Sequence, residues 1–199
     1  MPAVKCEAAR ESLAQLIAGN DRFLRGTSQL RPYTPEELRD LAAGQEPIAA
    51  IIACADSRVT PEIIFDQPLG KLFVSRTPGN VASESSKWML DIAIEEMKVP
   101  LLVVVGHTGC LAAQQVVDGK ITGSGGMLRL QIAQAAALAR GAPHDDLYVQ
   151  TVIENAKETV RRLSEDSWPL HAALLEGRAA AVAALYRMET GRVEWLSEV

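Results

Sequence analysis

The sequence is poor in cysteine, with three among 199 residues, and an odd count of that size argues against a disulfide framework. It lacks any apolar run long enough to span a membrane, and its opening Met1-Pro2-Ala3-Val4-Lys5-Cys6-Glu7 lacks the apolar core of a secretory signal. A cytoplasmic protein is the resulting expectation, with Cys6 a free thiol on an N-terminal helix. Positive charge is also scarce. Lys and Arg number 20 against 25 Asp and Glu, a formal net charge of −5 with no basic cluster. Phosphate backbones are held by concentrated Lys and Arg, so this balance excludes a nucleic-acid binder. No repeat, low-complexity tract or linker-like segment divides the chain, and 48% apolar content over this length suits one domain with a full hydrophobic core.

What is present is an alternation of strand-like and helical patterns. Strands are expected at 48–54, 71–75, 101–106, 179–186 and 192–196, and helices at 8–24, 61–65, 84–97, 111–117, 127–138 and 147–163. Thr34 before Pro35-Glu36-Glu37 is expected to cap a short additional helix. Strands alternating with helices imply an α/β fold with a mostly parallel central sheet and flanking helices. The last two strands are joined by Met188-Glu189-Thr190-Gly191, a hairpin-length connection, so the final strand is expected to be antiparallel at an edge. Residues 8–24 form an amphipathic N-terminal helical arm. The glycine-dense stretch 119–126 does not follow a strand in the order of a phosphate cradle and reads as a flexible loop.

Two of the apolar runs end on metal-ligating residues. Pro47-Ile48-Ala49-Ala50-Ile51-Ile52-Ala53 leads into Cys54-Ala55-Asp56-Ser57-Arg58, and Leu101-Leu102-Val103-Val104-Val105-Gly106 leads into His107-Thr108-Gly109-Cys110. Two thiolates and an imidazole are three of the four ligands that tetrahedral zinc prefers, and catalytic sites keep the fourth position for water or substrate. A structural site closed by Asp56 as fourth ligand is the plainer alternative. Both groups fall at the carboxyl ends of expected buried strands, where open α/β sheets bind ligands. Asp56 is placed to accept a hydrogen bond from the nucleophile, and Arg58 to restrain it, because a guanidinium matches carboxylate geometry bidentately. His144, beside Asp145-Asp146, reads as an exposed loop histidine, and neither it nor His171 is an evident proton shuttle.

The ordered set Cys-x-Asp-x-Arg and His-x-x-Cys at strand ends resembles the β-class carbonic anhydrases. The resemblance extends to Gly19-Asn20-Asp21-Arg22-Phe23, Gly44-Gln45-Glu46-Pro47, Phe73-Val74-Ser75-Arg76-Thr77-Pro78-Gly79-Asn80 and Tyr186-Arg187-Met188-Glu189-Thr190-Gly191-Arg192-Val193, and so spans nearly the whole chain. It implies Zn(2+) held by Cys54, His107 and Cys110, with Asp56 and Arg58 in catalysis and reversible hydration of carbon dioxide to bicarbonate and a proton. It implies a homodimer or a dimer of dimers, residues 1–44 serving as a dimerisation arm and 45–199 as the zinc-binding core. Gln45 matches a position that reaches across the dimer to hydrogen-bond substrate, Phe73 an aromatic of the carbon dioxide pocket, and Gly79 a further substrate-binding position. Three residues depart from the family pattern: Leu111 stands in place of glycine, Pro78 in place of a small or branched apolar residue, and Ile92 in place of a pocket tyrosine. These departures keep open carbonyl sulfide or carbon disulfide as substrate, or a catalytically silent zinc-binding subunit.

Overall fold

The computed structural model describes residues 4–120, 126–143 and 145–198. In chain order it contains helices α1 (Glu7–Leu24) and α2 (Pro35–Leu41), then β1 (Ala49–Cys54), α3 (Pro61–Ile64), β2 (Leu72–Thr77) and α4 (Glu84–Glu95). There follow β3 (Leu101–His107), α5 (Leu111–Val117), α6 (Gly126–Gly141), α7 (Leu147–Asp166), α8 (Trp168–Leu175), β4 (Ala180–Arg187) and β5 (Arg192–Glu198). The strands form one five-stranded sheet in the order β2-β1-β3-β4-β5. β2, β1, β3 and β4 are parallel, and β5 returns antiparallel to β4, so the α/β class, the mostly parallel sheet and the antiparallel edge strand are as the sequence implied.

A parallel sheet must be covered on both faces, and its inner strands are correspondingly apolar throughout. Every residue of β1 and β3 is buried. On one face Leu13 and Leu16 of α1 pack with Ile51, Phe65, Val103, Val105 and Val182. On the other, Leu90 of α4, Val160 and Leu163 of α7 and Leu170 of α8 pack with Ile52, Leu102 and Val104. The N-terminal arm therefore lies on the sheet of its own chain.

The arm is buckled down by the residues of its Gly-Asn motif. Gly19 is required by contact, since a Cβ there would lie 1.7 Å from the Phe65 carbonyl oxygen. Asn20 donates to the carbonyls of Ile64 (3.1 Å) and Gly191 (2.9 Å) and accepts from the Val193 amide (3.0 Å), tying α1 to α3 and to the closing hairpin. Arg22 pairs with the buried carboxylate of Asp66, which also accepts from the Gln29 amide at 2.9 Å.

Thr34 caps α2 as expected, accepting from the Glu37 amide while the Glu37 carboxylate accepts from Thr34, a reciprocal capping box. β2 runs to Thr77, beyond its expected end, because it pairs with β1 as far as Cys54 opposite Thr77. α6 and α7 also continue past their expected ends. The sequence pattern does not announce α8: Trp168-Pro169-Leu170-His171-Ala172-Ala173-Leu174-Leu175 is apolar nearly all round and carries no amphipathic period. Its start is fixed by Ser167, which accepts from the Leu170 amide at 3.2 Å. Most of the glycine-dense stretch, residues 121–125, and His144 lie outside the described residues. Among the described residues no helix is long and apolar enough to cross a membrane.

Gly19→Ala is expected to lower folding stability by about 3 kcal/mol or more, the upper end for forced overpacking. Gly44→Ala, where an added Cβ meets nothing within 4 Å, should stay within about 0.5 kcal/mol of the parent. Equilibrium denaturation of the two variants checks the contrast.

Candidate metal centre

β1 and β3 are adjacent and parallel, with Ala53 opposite Val105, so Cys54 at the end of β1 and His107 at the end of β3 leave the sheet at the same edge. The chain after His107 turns through Gly109, whose φ of +66° is in the left-handed region that glycine adopts without penalty, and brings Cys110 back as the residue preceding α5. The Cys54 and Cys110 sulfurs and a His107 ring nitrogen lie within 4.8 Å of one another, and all three residues are buried.

The histidine is oriented for ligation. His107 Nδ1 donates to the Thr108 carbonyl at 2.9 Å, while Nε2 is buried and has no hydrogen-bond partner among the described residues. Fixing one ring nitrogen as donor leaves the other as a lone-pair ligand. Thr108 is itself anchored to the β4–β5 hairpin: its amide donates to the Tyr186 carbonyl (3.0 Å), its hydroxyl donates to Glu189 (3.0 Å) and accepts from the Met188 amide (2.9 Å).

The sulfurs share charge unequally. With the Cys110 sulfur beside it, Cys54 is held below the usual thiol range against the cost of burial, the Gly79 amide assisting. Cys110 is pushed up by the neighbouring Cys54 sulfur and by its burial. The Gly79 N–H donates to Cys54 Sγ at 3.3 Å from a short 3₁₀ turn, Pro78–Asn80. Gly79 is obligatory there, because its φ is +71° and a Cβ would come within 2.7 Å of Ile132 Cδ1.

Beside the sulfurs, Arg58 grips Asp56 bidentately, Nε to Oδ1 at 2.9 Å and Nη2 to Oδ2 at 2.7 Å, and the Arg58 amide donates to Oδ1 at 3.0 Å. The guanidinium beside Asp56 holds its carboxyl well below the usual carboxylate range, against a smaller cost of desolvation. Arg58 Nη2 also reaches the Gly109 carbonyl at 3.5 Å, joining the two ligand loops. Arg76 secures the first loop by its backbone, donating to the carbonyls of Cys54 (3.0 Å) and Asp56.

Cys54, Asp56, Arg58, Gly79, His107 and Cys110 are thus brought together in one place. Gln45 and Phe73 are not. Gln45 is exposed in the loop before β1, at the opposite end of a six-residue strand from Cys54, a separation of about 20 Å. Phe73 is half-buried on β2, opposite Ala50. Of the three departures from the family pattern, Leu111 is 62% exposed, Pro78 is exposed and Ile92 is half-buried on α4. His171 sits on α8, donating from Nδ1 to the Ser164 carbonyl at 3.1 Å.

Sequence reasoning missed three contributors: Arg76, Thr108 and Asn155, the last of which donates to the Gly79 carbonyl at 2.7 Å. Asn155 had one available signal. It interrupts the buried stripe of α7 that runs through Val152, Ala156, Val160 and Leu163, and a polar residue at such a position needs a partner.

A buried imidazole nitrogen without a hydrogen-bond partner, set against two cysteine sulfurs, fits a metal ion; without one it is an orphaned polar group. The family model for carbonic anhydrase matches residues 49–193. Carbonic anhydrase 2 of Mycobacterium tuberculosis is 35% identical over 96% of this chain and 93% of its own length. The carbonic anhydrase of Mycolicibacterium smegmatis is 34% identical over 91% and 90% of the respective chains. Among solved structures, the β-carbonic anhydrase CafA of Aspergillus fumigatus superposes with a TM-score of 0.73 at 27% identity, covering 94% of this chain and 90% of the other. The chain belongs to the carbonic anhydrase family, in its β class, and is an enzyme of that family.

The Asp56–Arg58 pair carries a pH dependence. Its folded-state carboxyl titrates below the unfolded value of about 3.9, so its contribution to stability is fully present above that value and is lost as pH falls towards the folded one. In the metal-free protein, Asp56→Asn should therefore lose less thermal stability than the parent between about pH 6 and about pH 3. Equal losses in thermal melts at the two pH values would remove Asp56 from the acid-sensitive groups.

Proposed function

We propose that this enzyme interconverts carbon dioxide with bicarbonate and a proton, using Zn(2+) held by Cys54, His107 and Cys110. The observation that carries the reading is the unpartnered, buried Nε2 of His107 between two cysteine sulfurs, with an ionised carboxylate fixed alongside. Zinc bound there supplies Lewis acidity that makes water a nucleophile near neutral pH. Two thiolate ligands bring negative charge that offsets part of the metal's, so activity rises towards alkaline pH.

Asp56 positions the nucleophile. Arg58 occupies Oδ1 twice and Oδ2 once, which leaves Oδ2 a lone pair to accept a proton-bearing oxygen, and an ionised Asp56 can only accept. Without its guanidinium clamp the same carboxylate would be free to bind the metal itself. The Gly79 turn closes the site beside Cys54, and the apolar residues packed around Cys54 and Cys110, among them Val81, Ala113 and Leu185, exclude water on the protein side.

Gln45 and Phe73 belong, in this reading, to the substrate pocket of a second subunit. Both lie on the β1–β2 side of the chain and away from its own sulfurs, and β2 is an edge strand of the sheet. A homodimer or dimer of dimers supplies them in trans, with residues 1–44 as the arm of the assembly and 45–199 as its core. An amide donor on the developing bicarbonate oxygen is the kind of preorganised contact worth ~2.7–4 kcal/mol. Leu111 and Pro78 are exposed in the single chain, and a sulfur-containing substrate is the alternative that relative rates separate from carbon dioxide.

Stopped-flow hydration of carbon dioxide by the zinc-replete protein, at a neutral and an alkaline pH, is expected to be fast and faster at the alkaline pH. Rates no greater than buffer at both would sink the reading; hydrolysis of carbonyl sulfide outpacing hydration would move the substrate. Arg58→Ala is expected to keep its zinc, by metal analysis, and to lose hydration to near the buffer rate, because the released Asp56 would bind the metal in place of water. A fully active Arg58→Ala protein overturns the role given to the clamp.

A further inference from the structure

The amide that faces the Cys54 sulfur is held in place from a helix outside both ligand loops. Asn155, on α7 and only 4% exposed, donates from Nδ2 to the Gly79 carbonyl at 2.7 Å, and the Gly79 N–H donates to Cys54 Sγ at 3.3 Å. Two consecutive residues of that turn are left-handed, Gly79 with φ +71° and Asn80 with φ +47°. Such backbone costs on the order of 1–3 kcal/mol at a non-glycine residue and persists only where its surroundings over-determine it.

Here they do so from several sides. Asn155 bonds the carbonyl, Ile132 packs against the Gly79 Cα, and Thr77 Oγ1 donates to the Val81 carbonyl at 3.0 Å across the turn. α7 itself cannot drift, because Val152, one turn before Asn155, is pressed onto β3 where a Cβ on Gly106 would meet its Cγ1 at 2.6 Å. Of these contacts only Asn155 supplies a hydrogen bond to the peptide that follows the sulfur-facing amide. Without it a buried carbonyl loses its donor, and glycine, which populates many backbone conformations, is free to rotate towards another.

We propose that Asn155 is a positioning residue of the metal centre: acting through Gly79, it sets the hydrogen bond on the Cys54 thiolate and thereby how strongly that sulfur donates to the bound metal. The proposal rests on the reading of Cys54 as a metal ligand. Hydrogen bonds to ionised acceptors are about twice as strong as neutral ones, and an N–H directed at a thiolate lowers the energy of the sulfur lone pairs. Groups that hold ligands in this way typically change metal affinity ~10–100-fold when removed.

The test replaces zinc by cobalt(II) and reads the sulfur-to-cobalt charge-transfer absorption. In Asn155→Ala and Asn155→Leu, which both delete the donor, the band is expected to move to longer wavelength, and cobalt affinity measured against a competing chelator to change about 10-fold or more. Val160→Ala is the structural control. It lies on the same helix, fully buried in the core between α7 and the sheet, and should lower the melting temperature while leaving the band in place. Should one Asn155 variant fail to fold, the other carries the measurement. An unmoved band with cobalt bound overturns the proposal. A parent protein that binds cobalt without any sulfur-to-cobalt band overturns instead the assignment of Cys54 as ligand, and the proposal with it.

Discussion

Because β1 and β3 run side by side in the same direction, with Ala53 opposite Val105, the loops leaving their carboxyl ends start from the same edge of the sheet. Everything at the site follows from that pairing. A one-residue slip would turn Cys54 onto the other face of the sheet, and the sulfur, the imidazole and Asp56 would no longer meet. The register is protected by burial on both faces: Ile51 and Val103 face α1, while Ile52 and Val104 face α4 and α7. Slippage would exchange whole apolar sets between two differently shaped cores.

Around this frame the site is tied together by polar contacts that each link two segments. Arg58 joins the β1 loop to the Gly109 carbonyl, Arg76 ties β2 to the same loop, and Thr108 ties the β3 loop to the closing hairpin. Asn20 reaches that hairpin from the arm on the other side. The bonds serve position as well as stability: Arg58 is largely exposed, but the Asp56 carboxylate that it grips is mostly buried. What they fix is the direction of lone pairs, on Asp56 Oδ2 and on His107 Nε2.

The apolar runs of β1, β3 and β4 announced their strands because a parallel strand buried on both faces must be apolar at every position, and the spacing of Cys54, Asp56, Arg58, His107 and Cys110 announced the cluster because all five lie within a few residues of a strand end. α8 stayed hidden for the opposite reason: a helix apolar nearly all round has no periodicity to read. Asn155 stayed hidden because its partner is a backbone carbonyl far away in sequence, and backbone carbonyls have no letter of their own. Gln45 and Phe73 could be named only through resemblance, since their positions in a single chain bring neither to the sulfurs.

The donor set is assembled from distant parts of the polypeptide. Cys54 and His107 become neighbours only after the chain has crossed through β2 and α4 to lay β3 beside β1. The sheet itself is held by backbone pairing and by apolar residues on both faces. The full donor set therefore exists only once β3 lies beside β1, and any fragment of the chain that ends before β3 carries Cys54 alone of the three.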